Sequence, residues 1–329
     1  AFNLNTEIVA DQFKYNKISN VLNANGSVKI LNIKDDYVIY SDDITYFKND
    51  EKIFSKNKSQ GVFGGINIVS KEFYFNRNEN ILNASGNVRI DDTIEDYIVF
   101  SDEITYFKNE DKITTKGKTK SIIQSKYDFD SYDVTLDRKL KKLSSNNKTS
   151  VIDNNSNKYK LTKFIYSYDT KFLKGEDLEV ETNYLSKKSD KYYFKSAFIN
   201  FEDNSFVSKD TKILFHNSLF DKERNPENEL DAYFFGKNDP RLSSVTSAGD
   251  ENKTILNKAV FTSCKINDNC PPWSIKANKI IHDKVKKEIS YKDAVLNLYD
   301  VPVFYFPKFF HPDPSVERRS GLLQPRLNN

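Results

Sequence analysis

The chain has 329 residues, 38% hydrophobic and 29% charged, and its 50 Lys+Arg nearly cancel its 47 Asp+Glu to leave a net charge of +3. The basic residues are interleaved with acids and form no stripe that could track a phosphate backbone, which excludes a nucleic-acid partner. No apolar run is long enough for a membrane-crossing helix.

The 25 Phe and 19 Tyr, set in a chain with few apolar helical stretches, favour strands with one wet face. The chain lacks Met and starts at Ala1-Phe2, as expected of a processed or excised piece.

The first predicted elements form a repeat. Residues 13–53 recur at 73–113, with 21 of the 41 aligned positions identical. Such a repeat predicts stacked copies of one unit, each covering its neighbour's apolar face. Gly26 and Gly86 precede the alternating pairs Val28/Ile30 and Val88/Ile90, which reads as a turn followed by a strand. Tyr37, Ile39 and Ser41 then share one strand face, whereas Ile44 and Tyr46 share a face of the opposite parity. The second copy repeats this with Tyr97 and Val99 against Ile104 and Tyr106. A strand keeps both sets inward only by bending or bulging between them. Asp42-Asp43 and Asp102-Glu103 are therefore predicted corners between two sheet faces, with the carboxylates outside. An acid–base pair is the competing reading, but recurrence at equivalent repeat positions favours the corner.

Beyond residue 120 the repeat continues in degraded form. Tyr192, Ser196, Ile199 and Phe201 reproduce the intervals of Tyr37, Ser41, Ile44 and Tyr46, and a blurred copy starts at Tyr159. Residues 144–158 read as a hairpin loop rather than a domain boundary, and residues 221–253 as an irregular segment with a short helix at Asp221–Leu230. Cys264 and Cys270 are read as a local disulfide, ahead of two free thiols and of a metal site completed by His282. The histidines His216, His282 and His311 are scattered, no nucleophile setting or Gly-rich phosphate loop exists, and His282-Asp283 reads as a turn or packing pair. The expectation is a protein that is not an enzyme and holds no cofactor and no metal.

Two strands, around Ile280–Asp283 and Ile289–Leu296, precede a Pro-rich tail; Pro271, Pro272, Pro302, Pro307, Pro312, Pro314 and Pro325 are seven of the nine prolines. That density argues against a central strand or a helix and predicts a stiff connector over 298–329. Phe304, Tyr305, Phe306, Phe309 and Phe310 form an aromatic cluster within it, read as either a local lid or a membrane-interface belt. Arg318-Arg319 is by default an exposed basic pair.

Here the chain resembles a known family. Trp273-Ser274-Ile275-Lys276-Ala277, His282-Asp283, Tyr291-x-Asp293-Ala294, Pro302-Val303-Phe304-Tyr305-Phe306-Pro307 and Arg318-Arg319-Ser320-Gly321-Leu322-Leu323-x-Pro325 are similar to the LPS-assembly protein LptD family, also called the organic solvent tolerance protein family. The upstream Gly-x-Val and Tyr-x3-Ser-Asp-x-Ile-x-Tyr units resemble the OstA-type repeats of LptA, LptC and LptD. The resemblance implies the periplasmic OstA-like domain of an outer-membrane lipopolysaccharide transporter in a Gram-negative bacterium. It also implies a β-barrel beyond the connector, an LptA-like bridge protein docking at the N-terminal sheet edge, and an LptE-like lipoprotein reached through the barrel. Better-known members tie this domain to the barrel by disulfides, a connectivity not carried over to Cys264 and Cys270.

The expected fold is all-β: an elongated jellyroll of V-shaped, stacked antiparallel strands over 1–297, then a Pro-rich hinge over 298–329. The inward residues of the two clear copies are Val28, Ile30, Tyr37, Ile39, Ile44 and Tyr46, then Val88, Ile90, Tyr97, Val99, Ile104 and Tyr106; Tyr192, Ile199 and Phe201 belong to the degraded copy. Alternation alone favours core packing at these positions, while the resemblance implies a groove for lipid acyl chains. It also assigns Pro302, Phe304, Tyr305, Phe306, Pro307, Pro312, Pro314, Arg318 and Arg319 to the hinge and membrane interface. Alternative functions are a soluble LptA-like carrier and a purely structural β-solenoid.

Overall fold

The computed structural model describes residues 2–3, 6–186, 189–215, 240–264, 272–313 and 316. The regular structure among them is entirely β, in 26 strands. In chain order these are β1 (Phe2–Asn3), β2 (Thr6–Val9), β3 (Gln12–Asn16), β4 (Val21–Asn32), β5 (Tyr37–Phe47), β6 (Lys52–Lys56), β7 (Ser59–Phe63), β8 (Ile66–Ser70), β9 (Glu72–Asn76), β10 (Ile81–Asp92), β11 (Tyr97–Phe107), β12 (Lys112–Ile123) and β13 (Tyr127–Tyr132). There follow β14 (Thr135–Asp137), β15 (Lys142–Ser145), β16 (Thr149–Asp153), β17 (Lys158–Leu161), β18 (Lys163–Ser167), β19 (Phe172–Glu181), β20 (Lys191–Asn200), β21 (Phe206–Leu214), β22 (Arg241–Gly249), β23 (Lys253–Thr262), β24 (Trp273–Asp283), β25 (Glu288–Leu298) and β26 (Val301–Pro312). They form two compact units: Ala1–Asn154 with Lys163–Asp169, and Asn155–Thr162 with Thr170–Asn329.

The first unit is a two-sheet jellyroll. One sheet runs β2-β4-β5-β7-β8-β10-β11-β12-β13-β16 and the other β3-β4-β5-β6-β9-β10-β11-β12-β14-β15-β18, all antiparallel. The long strands β4, β5, β10, β11 and β12 belong to both sheets, so the sheets share one bent edge. Rings from the two inner faces meet: Tyr37 of the first sheet lies 5.1 Å from Phe75 of the second, and Phe63 lies 6.2 Å from Tyr106.

The bend is where the parity shift predicted it. Tyr37, Ile39 and Ser41 are buried, Asp42 is exposed, and burial resumes at Ile44 and Tyr46. Gly26 and Gly86, expected in turns, instead sit inside the continuous strands β4 and β10. The pairs Asn25↔Asp43 and Val28↔Ser41 leave Gly26 and Ser27 opposite Asp42 alone, a β-bulge repeated between Ser85 and Val88. Gly26 (φ 76°) and Gly86 (φ 82°) adopt left-handed backbone, which bends the strand without ending it. An isolated glycine within an alternating pattern is the mark of such a bulge.

Small hydroxyl side chains fill the corner. Ser41 donates to the Lys56 carbonyl at 2.8 Å, Ser55 and Ser59 hydroxyls are 2.6 Å apart, and Thr115 and Thr119 repeat that contact at 2.6 Å. They satisfy polar groups that the interrupted ladder leaves inside.

The true period is half the one visible in the sequence. Tyr37-x-Ile39-x-Ser41-x2-Ile44-x-Tyr46 recurs as Ile66-x-Ile68-x-Ser70-x2-Phe73-x-Phe75, Tyr97-x-Val99-x-Ser101-x2-Ile104-x-Tyr106 and Tyr127-x-Phe129-x-Ser131-x2-Val134-x-Leu136, every named residue buried. The starts at 37, 66, 97 and 127 are one rung apart, and two rungs give the 60-residue repeat. The copy starting at Tyr159 keeps the intervals better than its sequence suggests: Tyr159, Leu161, Tyr166 and Tyr168 are all buried. Its first half, β17, lies in the second unit and its second half, β18, in the first. The polar stretch 144–158 contains strand residues, and the boundary between units at Asn154–Asn155 falls inside it.

The second unit runs β17-β19-β20-β21-β22-β23-β24-β25-β26, antiparallel throughout. In β20, Tyr192 and Phe194 are buried, then Ala197 and Ile199, with Phe201 just beyond, so the parity switch of the third copy is present. Residues 301–312, expected as connector, are strand β26. It pairs with β25 along its length, and its prolines fall where no ladder N–H is lost. Pro302 borders the register shift between Leu296 and Asn297, Pro307 lies across from the unpaired Asp293, and Pro312 ends the strand. Among the described residues β26 pairs on one side only, as its prolines require.

Candidate functional site

Each inward residue of the sequence pattern lies inside a unit. In the first unit Ile30, Ile39 and Ile90 are 0% exposed and Tyr46, the most accessible of the group, only 8%. Tyr192, Ile199 and Phe201 line the second unit's interior, where Tyr159 and Phe201 rings are 5.0 Å apart. The interior of this conformation is a filled apolar core. One shallow cavity of about 320 Å³ touches inward Phe73, Ala84 and Ile104 near the corner. A long apolar guest fits inside only if the two sheets part.

The sheets are joined covalently at the bent corner, and polar side chains join them at the opposite margin. Arg77, just past β9 in the second sheet, ion-pairs with Glu51 and donates to Tyr46 Oη at 2.9 Å within that sheet. It also reaches Thr6 Oγ1 at 3.3 Å and Asp35 at 3.8 Å in the first. Arg138, just past β14, pairs with Asp111 of its own sheet. In the first sheet it reaches Asp92 at 3.2 Å, Tyr97 Oη at 3.1 Å and the Gly64 carbonyl at 3.2 Å. Lys141 meets Glu95 across the same margin at 2.7 Å, and Lys108 lies 5.4 Å from the Tyr37 ring. Burial pushes the phenols of Tyr37 and Tyr46 up to about 12, and raises those of Tyr97 and Tyr106 further. These hydroxyls stay protonated, and those of Tyr46 and Tyr97 act as neutral acceptors for Arg77 and Arg138. The sequence reading missed Arg77 and Arg138; the half-period was the available signal, since each follows the last inward residue of its rung by two positions.

The paired carboxylates lie on the outer surface of the corner, with Glu103 held by Lys116 at 2.9 Å. His282 bonds Asp313 rather than Asp283, whose carboxylate instead caps the Lys286 amide at 2.9 Å in a turn. Among the described residues no three His, Cys, Asp or Glu come together as a metal site. Cys264 is buried; its proposed partner Cys270, and Pro314, Arg318, Arg319, His216 and the helix at 221–230, lie outside the described residues. Of the membrane-interface candidates, Pro302, Phe304, Tyr305, Phe306, Pro307 and Pro312 all belong to β26, where Phe304 is 59% and Tyr305 56% exposed.

No protein-family model matches the chain. Curated relatives do. A Haemophilus ducreyi protein is 39% identical over 72 residues, 22% of this chain and 9% of the relative. An Actinobacillus pleuropneumoniae protein is 38% identical over 88 residues, 27% and 11% of the two chains, and one from Acidovorax is 32% identical over 81 residues, 24% and 10%. All three are LPS-assembly protein LptD.

The chain is similar to LptD. The matched stretches span only 9–11% of the length of these LptD relatives. Among solved structures, LptH of Pseudomonas aeruginosa, a periplasmic LptA homologue of the lipopolysaccharide transport device, shares 12% identity, covers 50% of this chain and 76% of its own, and has a TM-score of 0.18. A score that low carries no argument; the jellyroll assignment rests on the strand pairing above.

Proposed function

We propose that this chain serves lipopolysaccharide transport and assembly at the outer membrane, as a periplasm-facing jellyroll that takes acyl chains into its interior and passes them towards a membrane barrel. Its similarity to LptD carries the reading, and a two-sheet interior lined by apolar and aromatic side chains supports it. The inward residues, from Val28 and Ile30 through Tyr106 to Phe201, are the proposed acyl contacts. Transport here is a binding process without chemistry, and the energy for movement comes from outside the chain.

β3 supports the partner assignment. Its five residues are all exposed, and among the described residues it pairs with β4 only. An LptA-like protein would extend the sheet there by strand addition. Contact with an LptE-like lipoprotein would come through the barrel, and the exposed aromatics of β26 would face the membrane interface.

Photo-crosslinking side chains at Tyr37, Ile39, Ile44, Tyr97 and Ile104 test the reading. Lipopolysaccharide adducts are expected at these inward sites and not at outward Tyr40 or Phe100. Silence at all five, beside a working positive control, would remove the acyl-groove function.

A further inference from the structure

We infer that Arg77 and Arg138 are latches that hold the two sheets of the first unit closed, and that an anionic amphipathic lipid enters sideways by opening them. This rests on the transport reading above.

Four observations carry it. The corner side cannot open, because five long strands pass through it from one sheet to the other. Only the opposite margin is free to part, and each guanidinium bridges it: Arg77 is held in the second sheet by Glu51 and Tyr46 and reaches Thr6 and Asp35 in the first, while Arg138 is held by Asp111 and reaches Asp92 and Tyr97. The two arginines are equivalent, each two residues past the last inward residue of alternate rungs, Phe75 and Leu136. The interior behind them is filled, so a guest must separate the sheets.

The chemistry of the closure suits exchange. A margin sealed by apolar side chains would reseal against an acyl chain without regard to its headgroup. A guanidinium held by carboxylates can instead trade them for a phosphate, whose oxygens it binds in the same forked geometry. The phosphorylated headgroup stays outside while its chains pass between the sheets. Asp92, whose side chain is only 1% exposed, makes the latch costly to leave open without such an exchange. Successive latches along the margin would then open and close in turn as cargo moves.

The test has two arms. First, hydrogen exchange is compared in the intact protein for wild type, Arg77→Gln, Arg138→Gln and Arg138→Lys, without lipid. Amides at the margin, in turns 33–36 and 48–51 for Arg77→Gln and in turns 93–96 and 108–111 for Arg138→Gln, should exchange at least about tenfold faster. Amides flanking the corner, such as those of Ser55 and Thr119, should be unchanged. Arg138→Lys, which keeps the charge but loses the fork, should fall between, and it serves if the glutamine variant does not fold. Equal acceleration at margin and corner, or none, overturns the latch. Second, Glu95→Cys with Lys141→Cys is stapled across the margin by a short bis-maleimide. Stapling should abolish the lipopolysaccharide adduct at Ile104 that the unstapled double variant forms, and an undiminished adduct overturns sideways entry. Absence of adducts in unstapled and wild-type protein alike would count against the transport reading, while the exchange arm would still decide the latch.

Discussion

The Tyr291 hydroxyl lies 2.6 Å from Nε2 of His311, joining the inner faces of β25 and β26. The other ring nitrogen, Nδ1, is 2.6 Å from the Pro312 carbonyl, which can only accept, so Nδ1 carries the proton and Nε2 accepts from the tyrosine. Burial holds the imidazole below its ordinary value of 6.5, against the pull of the Pro312 carbonyl and Asp313. The neutral form is therefore favoured by folding. Its contribution is present above about pH 6.5 and is lost as pH falls through the depressed value. Hydrogen exchange corrected for intrinsic rate should show β26 loosening from β25 in mild acid while β24 remains protected. Unchanged protection of β26 down to pH 4.5 would contradict the assignment.

Alkali acts on the first unit. The Tyr37 and Tyr46 phenols are raised to about 12 by burial. The protonated form is the folded form, so the stability it provides is complete below about pH 10 and is lost as pH rises towards 12. Tyrosinate absorbance for these groups should appear together with loss of β-sheet circular dichroism, rather than as an earlier, separate titration.

The bulge glycines differ in what surrounds them. A Cβ at Gly26 would come within 2.4 Å of the Asp11 carboxylate, whereas one at Gly117 has nothing within 4 Å, although both have left-handed backbone. Gly117→Ala should cost about 1 kcal/mol, the penalty of the φ angle alone. Gly26→Ala should cost more, roughly 2–3 kcal/mol, unless Asp11 swings aside. Urea midpoints of the two variants check the order.

Interior and exterior of one strand can be compared directly. Ile39 is 0% exposed and its neighbour Tyr40 is 40% exposed. Ile39→Ala should destabilise by about 2–5 kcal/mol and Tyr40→Ala by under about 1 kcal/mol. Equal losses would mean that the parity of β5 is wrong.

Much of this was readable in the chain. The parity switch between Ser41 and Ile44 located the corner because side chains in a strand alternate strictly, so a slip of one residue cannot be hidden. The same residues marked the apolar interior. The bulge at Gly26 was not read, since a glycine before an alternating run looks the same whether the strand starts there or continues through it. The half-length rung was masked because Ile66, Phe73 and Phe75 share apolar character but not identity with their counterparts Tyr37, Ile44 and Tyr46. Strand β26 was missed because prolines weigh against pairing on average, whereas here each occupies a position whose N–H the ladder does not use. Arg77 and Arg138 were missed with the half-length rung: their equivalence shows only in the half-period, and partners such as Asp92 and Thr6 are far away in sequence.

The rung has a consequence for how such a protein can vary. Each block of about thirty residues contributes two strands to both sheets, and neighbouring strands are about 4.8 Å apart. Reach therefore changes in steps of about 10 Å when whole blocks are gained or lost, because an added strand extends both sheets only together with its partner and an odd insertion within a strand would put inward residues on the wrong face. Such a ruler has fixed graduations: a gap that widens by less than one step must be met by a partner or a loop, not by the jellyroll itself.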